Sequence, residues 1–295
     1  MSTLPQTFAS APAPRAARRW RRLLRDREFW FGGVLLIAII GFAFLGPALD
    51  PHVGEHYDMA AQTLGPSLGH LLGTNVLGQD ELAQLMVGGQ SPIIAGVLAA
   101  AVASLIGIAM GTIAGYGGRL ADSALMRVTD VFLSVPQVVP ILLIESLLGA
   151  STKSLIIVVA LTAWPATARI VRARTLVVRQ QPFIEAAIAG GASRSRVLLH
   201  HIVPNVLDEI IVATTNQFAN VVLIMAICTF IGLGLPPPWN WASMFAADMP
   251  NIISGQWWLV YPPGIAFAVL LLSVHLLGEA VRHALNPLSL GHGEP

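Results

Sequence analysis

The chain has 295 residues, of which 55% are hydrophobic and 11% charged, with a formal net charge of +1. Soluble domains carry about 25% charged residues, so this balance excludes an ordinary soluble domain and points to a polytopic membrane protein. The near-zero net charge gives no global reason to expect a nucleic-acid partner.

The first 28 residues read as a polar tail. Residues 1–14 are rich in Ala, Pro, Ser and Thr and are expected to be disordered. Seven arginines follow between Arg15 and Arg27. The first apolar run is Phe29–Leu49. It exceeds the roughly 7–15 residues of a signal-peptide core and no A-x-A site follows it, so an uncleaved anchor is expected. Residues 50–90 form a polar segment with Asp50, Glu55, Asp58, Asp80 and Glu81 and no Lys or Arg, with a short helix expected near Glu81–Val87.

Further runs free of charge follow at Ser91–Gly118, Val131–Thr152 (interrupted by Glu145), Ser154–Ala168, Ile210–Leu235 and Trp257–Gly278. A helix needs about 20 residues to cross the hydrocarbon core. Six spans fit, the fourth running on past Arg169. The expected fold is therefore an all-α membrane protein of six transmembrane helices. Residues 91–285 would form a five-helix core and 286–295 a C-terminal tail. Prolines 92, 136, 140 and 165 fall in or at the ends of spans, where most are expected to be unremarkable features of membrane helices.

The basic residues are 16 Arg and Lys153. With the N-terminus inside, every arginine is cytoplasmic and only Lys153 is outside, a bias that the positive-inside rule turns into an orientation. Both termini are then cytoplasmic. So is the insert between spans four and five, "FIEAAIAGGASRSRVLLHHIVPN".

Within that insert, at about 180–204, Pro182 suits the first position of a helix. Gly190-Gly191 permits a left-handed turn. Ser193 can cap a second helix, which Pro204 ends or bends. The result is a helix–turn–helix knob. Phe183 offers an aromatic anchor, Ala186 and Ala187 let a partner backbone approach, and Glu185 complements the helix dipole.

Several other residues carry readings of their own. Glu145 is the one clear acid at membrane depth; a path-lining or proton-relay role and a packing role stay equally open. Arg127 and Asp130, three apart, are expected to pair. His275 is expected to be a packing histidine and Cys228 a buried inert thiol. His200 and His201 are adjacent, point to different faces and make a poor metal site. Gly107, Gly111 and Gly115 give a small-residue face for close packing, within the chain or against a partner. No metal site or cofactor is expected. No nucleophile elbow or zinc-protease motif is present, and "LLGASTKS" around Lys153 lacks the glycines of a phosphate loop. The chain is therefore not expected to be an enzyme or to bind ATP.

The insert "EAAIAGGASRSRVLLHHIVPN" resembles the EAA loop of binding-protein-dependent ABC importer permeases, through Glu185, Ala186, Ala187, Gly191, Ala192, Ser193, His201, Ile202, Pro204 and Asn205. "HLLGTNVLGQDELAQLMVGG", "GYGGRLADSALMRVTDVFLSVP" and "FIGLGLPPPWNWASM" resemble, in order, segments of the C-type subunit of the dipeptide/oligopeptide/nickel permease family. The likeness spans about residues 68–288. Departures are Asn75 for Asp, Gln79 and Gln84 for Arg, and Asn240 for Gly.

The resemblance implies a multi-pass bacterial inner-membrane subunit that forms half of a translocation path for peptides. It implies a second permease chain, one or two ATPase subunits and an extracytoplasmic binding protein as partners. Phe183, Glu185, Ala186, Ala187, Gly191 and Ser193 would couple the chain to the ATPase. The alternative is a stand-alone proton-coupled transporter with Glu145 as carrier, which calls for more intramembrane acids and an inverted repeat.

Overall fold

The computed structural model describes residues 23–49, 56–149, 151–233 and 240–285. The expected disordered tail at 1–14, most of the basic stretch after it, residues 234–239 and the C-terminal tail lie outside the described residues. Among the described residues the architecture is helical, with one isolated bridge between Thr74 and Asp80. The helices are α1 (Arg27–Leu49), α2 (Glu81–Tyr116), α3 (Arg119–Ser134), α4 (Val138–Leu148), α5 (Thr152–Ala163) and α6 (Pro165–Val178). There follow α7 (Pro182–Ala189), α8 (Arg194–Arg196), α9 (Val203–Phe230), α10 (Trp241–Asp248) and α11 (Tyr261–Leu285).

Among the described residues five helical stretches are long and apolar enough to cross a bilayer: Arg27–Ala48, Glu81–Tyr116, Thr152–Val178, Arg194–Phe230 and Trp257–Leu285. A sixth exists only if α3 and α4 are counted as one span, and they meet at 83°. The run Val131–Thr152 is thus not one straight helix. Pro136 explains the break: the residue before a proline is pushed out of the helical region, and Val135 sits at φ −110°, ψ 133°. The helix expected at Glu81–Val87 is continuous with the span that follows, passing through Pro92. Asp80 starts it by accepting a bond from Ala83 N–H at 3.0 Å.

α2 is the central element and packs on α6, α9, α1 and α5. Its contact with α6 is made by glycine. A Cβ on Gly107 would lie 2.7 Å from Thr167 Cβ, one on Gly111 2.5 Å from the Ala168 carbonyl, and one on Gly115 2.5 Å from Thr175 Cβ. The small-residue face is therefore used inside the chain, where it lets the α6 backbone and its Thr167 and Thr175 side chains press close on α2. Ala95, Ala99, Ala100 and Ala103 continue the core against Ile141, Val158, Val159, Val221 and Cys228. Trp241 is fully buried against Gly89 and donates its indole N–H to the Leu85 carbonyl at 2.7 Å. Apolar side chains left exposed on the spans, such as Ile37 and Leu105, are those that a bilayer would cover.

Candidate functional site

At one end of α2, Tyr116 joins a cluster formed by Val171, Val178, Ile184, Val197, Ile202, Val206 and Ile210. This cluster seats the α7–α8 hairpin between the end of α6 and the start of α9. Pro182 opens α7, where its missing N–H has no helical partner to lose. Gly190 caps it and Gly191 makes the turn at φ +81°, a conformation that strains other residues. Ser193 then caps α8, its hydroxyl accepting from Arg196 N–H at 3.3 Å.

Pro204 does not end this helix. The helix runs on from Arg194 to Phe230 because a π-helical turn, Val197–Ile202, precedes the proline. Widening the turn changes which carbonyl each N–H must reach, so the imino nitrogen of Pro204 and its ring are accommodated. Asn205 Nδ2 donates to the His201 carbonyl at 2.7 Å in the same turn.

The hairpin is held by one α7 side chain. Ile184 is 1% exposed, whereas Phe183, Glu185, Ala186, Ile188 and Gly190 are exposed and Ala187 half-buried. Positions 183, 186, 187 and 190 share one helical face. The structure therefore brings Phe183, Ala186 and Ala187 together on an outward surface, with Glu185 in the first turn and Ser193 and Gly191 used in the turn itself.

The arginines of α6, for which only topology gave a reason, brace the helices beside the hairpin. Arg172 forms a bidentate pair with Asp122 of α3, at 2.5 Å from Nε and 2.7 Å from Nη2. Arg169 reaches Asp130 at 2.7 Å. Arg174 reaches Glu209 of α9 at 3.0 Å, and Arg179 donates to the Gly115 carbonyl at 2.8 Å. The expected Arg127–Asp130 pair gives way to Arg169–Asp130. Two residues three apart share a helix face, but α6 offers Asp130 a cation across the α3–α6 interface.

Glu145 is 2% exposed; Oε2 accepts from Ser154 Oγ at 2.9 Å, while Oε1 has no partner among the described residues. It is packed among α4, α5 and α9, near buried Cys228. His275, expected to pack, is exposed. Among the described residues one His–carboxylate group has three ligand atoms within 4.8 Å of one another: Asp26, Glu28 and His283. They place His283 Nδ1 of α11 3.7 and 3.5 Å from the Asp26 and Glu28 carboxylates at the start of α1.

Two buried acids at the far end of the fold escaped notice in the sequence. Glu81 is 1% exposed with Oε1 unpartnered, and Asp248 is 9% exposed. They line one cavity with Asn75, Val76, Leu77, Gln84, Met244 and Ala247. Burial pushes the Asp248 carboxyl up to about 6, against an opposing bond from Asn251. The visible signal was the replacement of Arg by Gln79 and Gln84 beside Glu81. Asn240, the Gly departure, caps α10, which carries Asp248: its side chain accepts from Ala242 and Ser243 N–H, each at 3.0 Å.

Residues 107–287 match the family described as binding-protein-dependent transport system inner membrane component, and residues 16–66 match the N-terminal TM domain of oligopeptide transport permease C. A putative peptide permease protein of Brucella abortus is 33% identical over 284 residues, covering 96% of this chain and 94% of that protein. The dipeptide transport system permease protein DppC of Bacillus subtilis is 30% identical over 269 residues, covering 91% and 84%. A chain in the inward-facing structure of the MetNI methionine ABC transporter superposes with a TM-score of 0.56 at 16% identity, covering 68% of this chain and 94% of that one, and so shares its fold. The chain belongs to the binding-protein-dependent transport system inner membrane component family, as a multi-pass inner-membrane permease of the peptide ABC transporter type.

Proposed function

We propose that the chain forms half of a peptide translocation path and is driven by separate ATPase subunits that grip the α7–α8 hairpin. A second, related permease chain completes the path, and an extracytoplasmic binding protein delivers the peptide. The observation that carries this reading is the hairpin's construction. A single inward residue, Ile184, docks it to α6 and α9, while Phe183, Ala186 and Ala187 are left outward beside Glu185. A surface of small residues around one aromatic suits insertion in a groove. The arginine braces tie α6 to α3 and α9, so a push on the hairpin moves the helices as a body rather than bending one of them. Glu145, with a free carboxylate oxygen in the bundle, is the candidate path residue within this reading.

Co-expression with candidate ATPase and binding-protein partners tests it. The complex should co-purify, and Glu185→Arg or Phe183→Ala should leave ATP hydrolysis running while peptide uptake falls. Uptake by the lone chain in vesicles, abolished by Glu145→Gln, would instead establish the proton-coupled transporter. Labelling of a cysteine at position 185 from the extracytoplasmic side would overturn the coupling assignment.

A further inference from the structure

The cavity at the end of α2 remote from the hairpin lies between the residue 75–84 segment and α10. Its volume is about 60 Å³. Two carboxylates reach it from different elements, Glu81 from α2 and Asp248 from α10, and Glu81 Oε1 has no hydrogen-bond partner among the described residues although Glu81 is 99% buried. Asp248 Oδ1 accepts from Asn251 Nδ2 at 2.9 Å. The neighbouring Asp80 is already engaged, by His70 Nδ1 at 2.9 Å and by its own helix N-terminus.

The chain supplies no cation from either wall. No Lys or Arg occurs between Arg27 and Arg119, nor between Arg196 and Arg282. A buried carboxylate without a counter-charge is costly, and the usual remedies are a paired cation or a bound proton. The remaining walls are the amides Asn75 and Gln84 and the apolar Val76, Leu77, Met244 and Ala247. Asn75 Oδ1 already accepts from Leu77 and Gln79 N–H at 2.9 and 3.0 Å, so the lining falls short of the about six or more oxygen ligands that a hard metal ion takes. It is right for a charged head with a short hydrocarbon stem.

We propose that this cavity is a receptor for a primary ammonium group, whose three N–H donors are shared between Glu81 and Asp248 while its first carbons rest on Val76, Leu77 and Met244. The assignment stands on the cavity alone and uses nothing from the coupling reading.

The full-length chain in lipid nanodiscs, titrated calorimetrically, tests it. n-Butylammonium represents a side-chain ammonium and alaninamide an α-amine; 1-butanol, N-acetylalaninamide and potassium chloride are the controls. Saturable binding of at least one amine is expected, weakened about tenfold or more by Glu81→Gln and by Asp248→Asn, since charged hydrogen bonds are lost. The stronger-binding amine assigns the source. The two variants lie on separate elements, so if one fails to fold the other decides. Equal binding of 1-butanol would make the cavity merely apolar. Equal binding of potassium would make it an inorganic cation site. No amine binding, or binding indifferent to both variants, would overturn the proposal outright.

Discussion

Arg172 and Asp122 meet across α6 and α3 as a two-pronged pair, Nε to Oδ1 at 2.5 Å and Nη2 to Oδ2 at 2.7 Å. Their side chains are 30% and 25% exposed, so water screens the pair only in part. The fork geometry, not the charge alone, holds the helices in register. Arg172→Lys keeps the charge and loses the fork, and a loss of about 1 kcal/mol is expected. Asp122→Asn should cost a similar amount, and the double variant less than the sum. Arg169–Asp130 is more than half exposed on both sides, so Arg169→Lys should be close to neutral. Unfolding of the micelle-bound chain by SDS titration reads all four.

The α2–α6 contact predicts a steep dependence on one methyl group. At Gly111 a Cβ meets a backbone carbonyl at 2.5 Å, which cannot rotate away. Gly111→Ala should therefore force the helices apart and destabilise by about 1–3 kcal/mol. Among the described residues, nothing lies within 4 Å of such a Cβ at Gly33 or Gly41 of α1. Alanine there should be neutral or slightly stabilising, because helix propensity improves. A comparable loss at Gly33 would show that the effect is not packing.

The apolar runs made the helices legible, because a span must satisfy its own backbone and cannot hide its composition. The hairpin was legible too, since Pro182, Gly191 and Ser193 each have a local backbone reason to stand where they do. Legibility failed where the deciding group is distant in sequence. Asp130 has Arg127 three residues away, yet its partner is Arg169, 39 residues on. Pro136 breaks its helix while Pro204 does not, and the difference lies in a π turn that no residue type announces. Glu81 read as one more polar residue of a surface segment. Its burial depends on α10 folding back more than 160 residues later, helped by the Asn240 cap.

Ile184 and Phe183 are neighbours with opposite duties, and substitution should separate them. Ile184 is the buried foot of α7, so Ile184→Ala should loosen the hairpin by about 2–4 kcal/mol. Phe183 is 43% exposed in the lone chain, so Phe183→Ala should leave its stability nearly unchanged. Hydrogen exchange of residues 182–196 distinguishes the two: protection should fall in Ile184→Ala and persist in Phe183→Ala. Equal loss of protection would mean that Phe183 serves the fold, and its use as a docking residue would lose its support.

Asp248 predicts a pH effect of defined sign. Burial raises its carboxyl from 3.8 to about 6 in the folded chain, with Glu81 the other acid that lines its cavity. A folded state that holds a proton more tightly than the unfolded one is favoured at low pH. The Asp248 contribution to stability should therefore fall as pH rises from about 4 to about 6 and change no further above it, where its carboxyl is ionised in both states. Asp248→Asn keeps the acceptor for Asn251 and removes the titration, so that descent should flatten and the variant should exceed the parent at pH 7. Midpoints of thermal unfolding between pH 4.5 and 7.5 check this. A stability that climbs with pH across that interval, or a slope untouched by the substitution, would show that Asp248 ionises freely and is not held in an acid-favouring cavity.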